Sequence, residues 1–359
     1  METEDSAEGR AEQASANPPE MHAAAVRHCS IAGRVPLPMS SEERRLPEDQ
    51  IVAYLGRLGI ARESVCEPTL AALTVLQSAH CDRVAYENLD LYAQEGAPLP
   101  TPALSPESSI LRIVGCGRGG YCFLLVDAYA ALLCSLGFDV SMHTGGVGED
   151  PLPTEKWGNH IVLVVRLEDG RQFISDVGLG DGPSRPFELR PQAWQENGFR
   201  FELVNRGAGV WHFAHDALGS FCGFDVDVST SATGAHEFEA YHRFYWTHPR
   251  SNYRTSGAVL QRMCASGMIL VLRNCVLKRI QPSLSGGAEV LATSSDAAEW
   301  LALVHHHFGM ALGELTDSQR DALWRVVKRQ HDGWLASQQL AGEGGAALTA
   351  DAVAVAVSS

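Results

Sequence analysis

A cysteine at the start of a helix, a histidine that opens a strand and an aspartate that closes the next strand supply the groups for nucleophilic acyl chemistry. Here they are Cys122, His160 and Asp176. Cys122 follows the segment Gly115-Cys116-Gly117-Arg118-Gly119-Gly120-Tyr121 and opens a helical pattern that runs through Leu133 and ends near Gly137. Glycines there let the backbone turn sharply, and the positive end of a helix dipole favours a thiolate, the nucleophilic form, over a thiol. Standing alone, Cys122 would be one more buried thiol among nine cysteines. A catalytic cysteine also needs a base in hydrogen-bond reach and a third group to orient that base. His160 and Asp176 fit those roles.

Strand register tests the pairing. His160 to Leu167 and Arg171 to Val177 flank Glu168-Asp169-Gly170 and read as a β-hairpin. With a three-residue turn, Leu167 pairs with Arg171, His160 lies opposite Gly178, and Asp176 becomes the diagonal neighbour of His160 on the same face. A two-residue turn would put them on opposite faces, so the reading requires the longer loop or a bulge.

Other chemistries fit less well. The segment Gly115 to Gly120 matches the GxGxxG pattern of dinucleotide-binding turns. That pattern needs an acid about 20 residues on, at the end of a second parallel strand. Asp139 stands at the start of its strand, and hairpins follow in place of a βαβ alternation. No metal is expected: His305-His306-His307 offers no i, i+4 pair, His236-Glu237 lacks a second histidine, and His212 and His215 have no third ligand at a recognisable spacing.

The elements that must position these groups follow from periodicity. Residues 1–48, rich in Ala, Glu, Ser and Pro, read as a mobile tail, with order beginning at Pro47. Ile51, Tyr54, Leu55 and Leu58, then Leu70, Leu73 and Leu76, recur at helical spacing. Prolines at 98, 100, 102 and 106 mark a loop, and an apolar run follows from Ile110 to Val114. Strand-like runs extend from Phe138 to Ile280. Helical patterning returns at Ala297 to His307 and Ser318 to Leu335, before a Gly/Ala-rich end. The expected units are 49–137, helical with the cysteine; 138–280, β-rich with the histidine and aspartate; 281–336, a C-terminal α/β unit; and 337–359, a flexible tail.

The 359 residues, 45% hydrophobic and 20% charged, suit two or three packed globular subdomains. The net charge of −15 opposes nucleic acid and anionic membranes as partners, and no apolar run approaches the ~20 residues of a membrane span. The nine cysteines show no CxxC pair, and the acidic start lacks a secretory or transit pattern. A reducing, cytoplasmic location is expected.

With these residues assembled, the chain resembles the arylamine N-acetyltransferases from about Val52 to Leu312. The motifs are Tyr54 to Gly59, Arg83 to Leu89, Arg118-Gly119-Gly120-Tyr121-Cys122-Phe123, Asn159-His160, Asp176-Val177-Gly178-Leu179-Gly180 and, more weakly, His248 to Tyr253. The resemblance implies an α+β fold: an N-terminal helical bundle, a β-barrel-like middle domain and a C-terminal α/β lid, with a papain-like Cys-His-Asp order. It implies a ping-pong reaction in which Cys122 takes acetyl from acetyl-CoA and gives it to an arylamine, hydrazine or related amine. In that scheme His160 is base and acid, Asp176 the orienter, and the Cys122 N–H an oxyanion donor. Arg57, Arg83, Glu87 and Arg118 would support the site. Trp157 and Gly158, after Lys156, would meet the coenzyme; Tyr86, Phe123 and Leu179 would meet the acceptor. Leu124-Leu125-Val126 replaces a polar stretch usual in the family, Leu179 an aromatic and Tyr86 a phenylalanine. A Cys-His-Asp hydrolase or transglutaminase-like enzyme, and a catalytically inactive binding homologue, are the alternatives.

Overall fold

Ile51, Tyr54, Leu55 and Leu58 form the buried stripe of the first helix, α1 (Glu48–Leu58), which Gly59 ends in a left-handed conformation. A computed structural model describes residues 44–93, 100–249 and 251–343 of the chain. Order begins earlier than the Pro47 expected. Arg44 donates to the Thr233 carbonyl at 2.7 Å, and the Leu46 N–H donates to Ser135 Oγ at 2.7 Å. Most of the expected N-terminal tail, and residues 344–359 of the C-terminal one, lie outside the described residues.

Thr69 caps α2 (Leu70–Arg83) by accepting from the Ala72 N–H. The two residues of β1 (Tyr86–Glu87) follow. The proline-rich loop ends sooner than its last proline indicates, because Pro106 occupies the first turn of α3 (Pro106–Ile110), capped by Ser105. A proline fits there because its missing N–H would have no helical partner. The apolar run after it is a π-helical turn, Leu111–Gly115. Next comes α4 (Cys122–Ser135), buried from Cys122 through Cys134, as its apolar composition on every side requires.

Two antiparallel sheets follow. Eight strands stand in the order β5-β4-β3-β2-β9-β8-β7-β6. They are β2 (Asp139–Val147), β3 (His160–Arg166), β4 (Gln172–Ile174), β5 (Phe187–Glu188), β6 (Gln192–Glu196), β7 (Phe199–Gly207), β8 (Val210–Ala214) and β9 (Gly223–Ala232). After α5 (Glu239–Thr247) and the short α6 (Asn252–Thr255), four strands join β1 in a second sheet. They are β10 (Val259–Met263), β11 (Ile269–Arg273), β12 (Val276–Ile280) and β13 (Ala288–Thr293), ordered β1-β10-β11-β12-β13.

The stretch expected as one β-rich unit, 138–280, therefore contributes strands to both sheets, and the division between them falls between Ala232 and Val259. Alternation identifies a strand without naming its neighbour. Two helices complete the described chain, α7 (Ala297–Phe308) and α8 (Asp317–Glu343). The last continues past the boundary expected at 336. Among the described residues no helix is long and apolar enough to cross a membrane.

Candidate active site

Cys122 begins α4, where the N–H groups of Cys122 and Phe123 precede the first helical hydrogen bonds, which the Leu124 and Leu125 N–H groups make to the Tyr121 carbonyl at 3.0 and 3.2 Å. The glycines before it serve a close approach more than a turn. A Cβ on Gly119 would lie 1.8 Å from the Ala85 carbonyl oxygen. The Gly120 N–H donates to that oxygen at 3.3 Å, and the Glu87 N–H donates to the Gly120 carbonyl at 3.0 Å. This backbone pairing with β1 fixes where α4 starts.

A buried ionic cluster ties the same segment down. Arg118 donates to Glu87 Oε1 at 2.9 Å and Asp90 Oδ1 at 2.8 Å, and also pairs with Glu314. Arg112 bonds Glu87, Asp90 and the Gly119 carbonyl. Burial would raise the Asp90 pKa, but the two guanidinium groups outweigh it and hold it at about 2. Glu87 and Arg118 were expected here; Arg112, Asp90 and Glu314 were not. Arg57 and Arg83 stand outside this network. Arg57 Nη2 is buried without a hydrogen-bond partner among the described residues, and the exposed Arg83 packs its guanidinium against Gly59.

The hairpin has the three-residue turn that the site requires. Val164 pairs with Ile174, Val165 with Phe173 and Arg166 with Gln172, and the Leu167 N–H donates to the Arg171 carbonyl at 2.9 Å. His160 Nε2 meets Asp176 Oδ2 at 2.7 Å, with both residues almost fully buried. The other carboxylate oxygen of Asp176 accepts the Gly178 N–H at 2.7 Å. With Nε2 held by Asp176, Nδ1 is the ring nitrogen left for the Cys122 side chain, with which His160 also interacts. Burial would lower the His160 pKa. The Asp176 charge and hydrogen bond outweigh burial and, with a contribution from Cys122, raise it to about 10. The Cys122 thiol also lies 3.8 Å from the Asn159 carbonyl and 3.6 Å from the Tyr253 hydroxyl.

Gly178 closes the arrangement. A Cβ there would sit 2.8 Å from Val126 Cγ2 and 3.1 Å from Cα of Cys122. The Asp176 loop thus rests directly on α4, and Val126, one of the apolar residues in Leu124-Leu125-Val126, forms part of that seat.

Cys122 and His160 open on a cavity also lined by Tyr86, Leu179, Lys156, Asn159, Tyr253, Gln261 and Arg273. Tyr86 and Leu179 were expected at the acceptor, and both line it. Phe123 does not. It is fully buried against Phe238 and Tyr245, because the second residue of the helix points into the core when the first presents the thiol. Trp157 and Gly158 also lie outside the lining: the Trp157 carbonyl accepts from the Tyr241 hydroxyl at 2.7 Å, and the Gly158 N–H donates to the Gly145 carbonyl at 2.8 Å. Their neighbour Lys156 is the one that reaches the cavity. Among the described residues no group of three or more His, Cys, Asp or Glu could hold a metal.

A thiol, an imidazole and a carboxylate in a buried line at a cavity are the equipment of a cysteine acyltransferase or hydrolase. Comparison with known proteins resolves the class. Residues 69–316 match the family model described as N-acetyltransferase. The arylamine N-acetyltransferase of Mycolicibacterium smegmatis is 28% identical over 293 residues, covering 77% of this chain and 96% of that protein. The crystal structure of Nocardia farcinica arylamine N-acetyltransferase superimposes with a TM-score of 0.64 at 30% identity, covering 80% of this chain and 95% of that one. The Mycobacterium marinum enzyme in complex with CoA superimposes with a TM-score of 0.65 at 25% identity, covering 77% and 99%. The chain belongs to the arylamine N-acetyltransferase family and is an acyltransferase.

Proposed function

We propose that the chain transfers acetyl from acetyl-CoA to an arylamine, hydrazine or related amine through a thioester on Cys122. The observation that carries this reading is the 2.7 Å bond between His160 Nε2 and Asp176 beside Cys122, which leaves the other ring nitrogen available to the thiol. The CoA-bound M. marinum relative supports the choice of donor.

His160 takes the proton of the Cys122 thiol, which gives the attacking thiolate. The thiolate attacks the thioester carbonyl carbon, and the Cys122 N–H at the start of α4 receives the oxyanion. Collapse of the tetrahedral adduct breaks the carbon–sulfur bond to coenzyme A, and His160 gives its proton to the departing sulfur. Acetylation also removes the thiolate charge that helped raise the His160 pKa. The neutral imidazole then takes a proton from the incoming amine as it attacks, and the amide leaves. The helical segment 49–137 supplies the nucleophile, β3 supplies His160, the loop after β4 supplies Asp176, and the five-stranded sheet adds Tyr86, Val259, Gln261 and Arg273 to the cavity lining.

Mass spectrometry after incubation with acetyl-CoA alone tests the intermediate. One acetyl mass on the wild type, absent from Cys122→Ala, is expected; an adduct on another cysteine would overturn the assignment. Rapid release of acetate without an amine would make the protein a hydrolase instead.

A further inference from the structure

Among the described residues that line the active-site cavity there is no aspartate or glutamate, in a chain whose net charge is −15. They do include Lys156 and Arg273, besides His160. Strand parity explains Arg273. In the second sheet Val259 pairs directly with Arg273, and Gln261 pairs with both Val271 and Tyr86. Tyr86, Val259, Gln261 and Arg273 therefore share the cavity face, while Leu260 and Leu272 on the opposite face are fully buried in the main core.

The guanidinium is poorly neutralised. Its hydrogen bond is from Nη1 to the Ser256 carbonyl at 2.8 Å, and among the described residues it has no ion pair. Burial lowers its pKa, with only partial opposition from Tyr92, Tyr86 and Asp181. The Asp181 carboxylate is already engaged by the Ser220 N–H at 2.6 Å and the Ser220 hydroxyl at 3.0 Å. Other polar groups of the lining are also committed: the Asn159 amide bonds the Val147 backbone twice, and the Asn88 amide bonds Tyr253, Gly257 and Val259. A guanidinium with five donors and one modest acceptor, facing an acid-free cavity, is a receptor for a carboxylate. Tyr86 feels the charges of both Cys122 and Arg273, so the thiol and the cation share one neighbour.

We propose that Arg273 is a specificity-determining residue that binds a carboxylate carried by the acceptor amine, so that acidic amines are preferred substrates. The proposal rests on the acetyl-transfer reading above. Coenzyme phosphates are the other anionic source, and the two half-reactions separate them.

The test compares 4-aminobenzoate with its neutral methyl ester, in wild type and in Arg273→Gln. The wild type favours the acid, and the acid-to-ester ratio of kcat/KM falls at least ~10-fold in the variant. Benzoate, which carries the carboxylate without the amine, raises the Tm of the wild type more than that of the variant, whereas the neutral methyl benzoate does not distinguish the two. An unchanged ratio, or equal benzoate Tm shifts in the two proteins, would overturn the proposal. So would slowing of Cys122 acetylation with no change in the ratio, which would give Arg273 to the coenzyme. Should the variant fail to fold, the Tm shift of the wild type with benzoate and its absence with methyl benzoate decide. Turnover of neither amine would instead sink the acetyl-transfer reading.

Discussion

At the scale of single residues, the site consists of groups whose roles depend on one another. Asp176 holds Nε2 and, with a contribution from Cys122, raises the His160 pKa against the effect of burial. His160→Gln and Asp176→Asn should each slow acetyl transfer by at least ~100-fold while leaving the fold intact. The double variant should lose little more than the worse single one, since the residues act as a unit. Steady-state kinetics of the three variants checks this; a loss equal to the product of the single losses would mean independent roles. Leu179 lines the cavity where the family usually has an aromatic. Leucine leaves more room and forgoes ring stacking, worth about 0.5–1.5 kcal/mol. Leu179→Phe should raise kcat/KM for a planar arylamine by up to roughly tenfold, with little change in acetylation of Cys122. Equal effects on both half-reactions would remove Leu179 from the acceptor side.

At the scale of elements, the start of α4 is set by backbone contact, and two glycines two residues apart separate the causes. Gly117 has a positive φ of 63° but open space around it, so Gly117→Ala should cost only about 1 kcal/mol. At Gly119 the new Cβ would meet the Ala85 carbonyl oxygen at 1.8 Å, and a backbone atom cannot rotate away. Gly119→Ala should cost about 3 kcal/mol or more and displace Cys122 as well. Denaturant titration gives the two stabilities. Similar values would mean that chain flexibility, not the approach to β1, requires the glycines.

At the scale of the whole molecule, buried ionisable groups give stability a dependence on pH. Asp127 sits within α4 and accepts from Ser109 Oγ at 3.0 Å. Burial is the largest influence and raises its pKa from 3.8 to about 6. The folded state therefore holds a costly buried carboxylate above about pH 6, and that cost disappears as pH falls to 3.8. Asp127→Asn should stabilise the protein by about 2–3 kcal/mol at pH 8 and give no gain below pH 3.8. His80 acts in the opposite direction. Burial lowers its pKa to about 3, with Tyr54 as its hydrogen-bond partner at 2.9 Å, so stability is lost as pH falls from 6.5 toward 3. For His160 the folded pKa is raised to about 10, so its contribution is complete below pH 6.5 and is lost as pH rises through about 10. Calorimetric Tm values across pH, for the wild type and Asp127→Asn, check these signs. A gain that persisted at pH 3.5 would exclude Asp127 titration as the cause.

What the sequence determined by itself is what short-range regularities encode. The helical stripe of α1, the thiol at the start of α4, and the hairpin register that puts His160 and Asp176 on one face all follow from periods of 3.6 and 2 and from turn length. The motif around Cys122 carried the family. Long-range packing was not encoded in this way. No local pattern tells β10, β11 and β12 to pair with β1 instead of with the eight-stranded sheet, and that choice places Arg273, Gln261 and Tyr86 in the cavity. Nor does spacing show that Phe123 turns into the core while its neighbour faces substrate, or that Arg112, Asp90 and Glu314 gather around Arg118 from three separate parts of the chain. A side chain's face within its own element is local geometry. Which surface meets that face depends on how whole elements bury their apolar area against one another, and only the tertiary structure decides that.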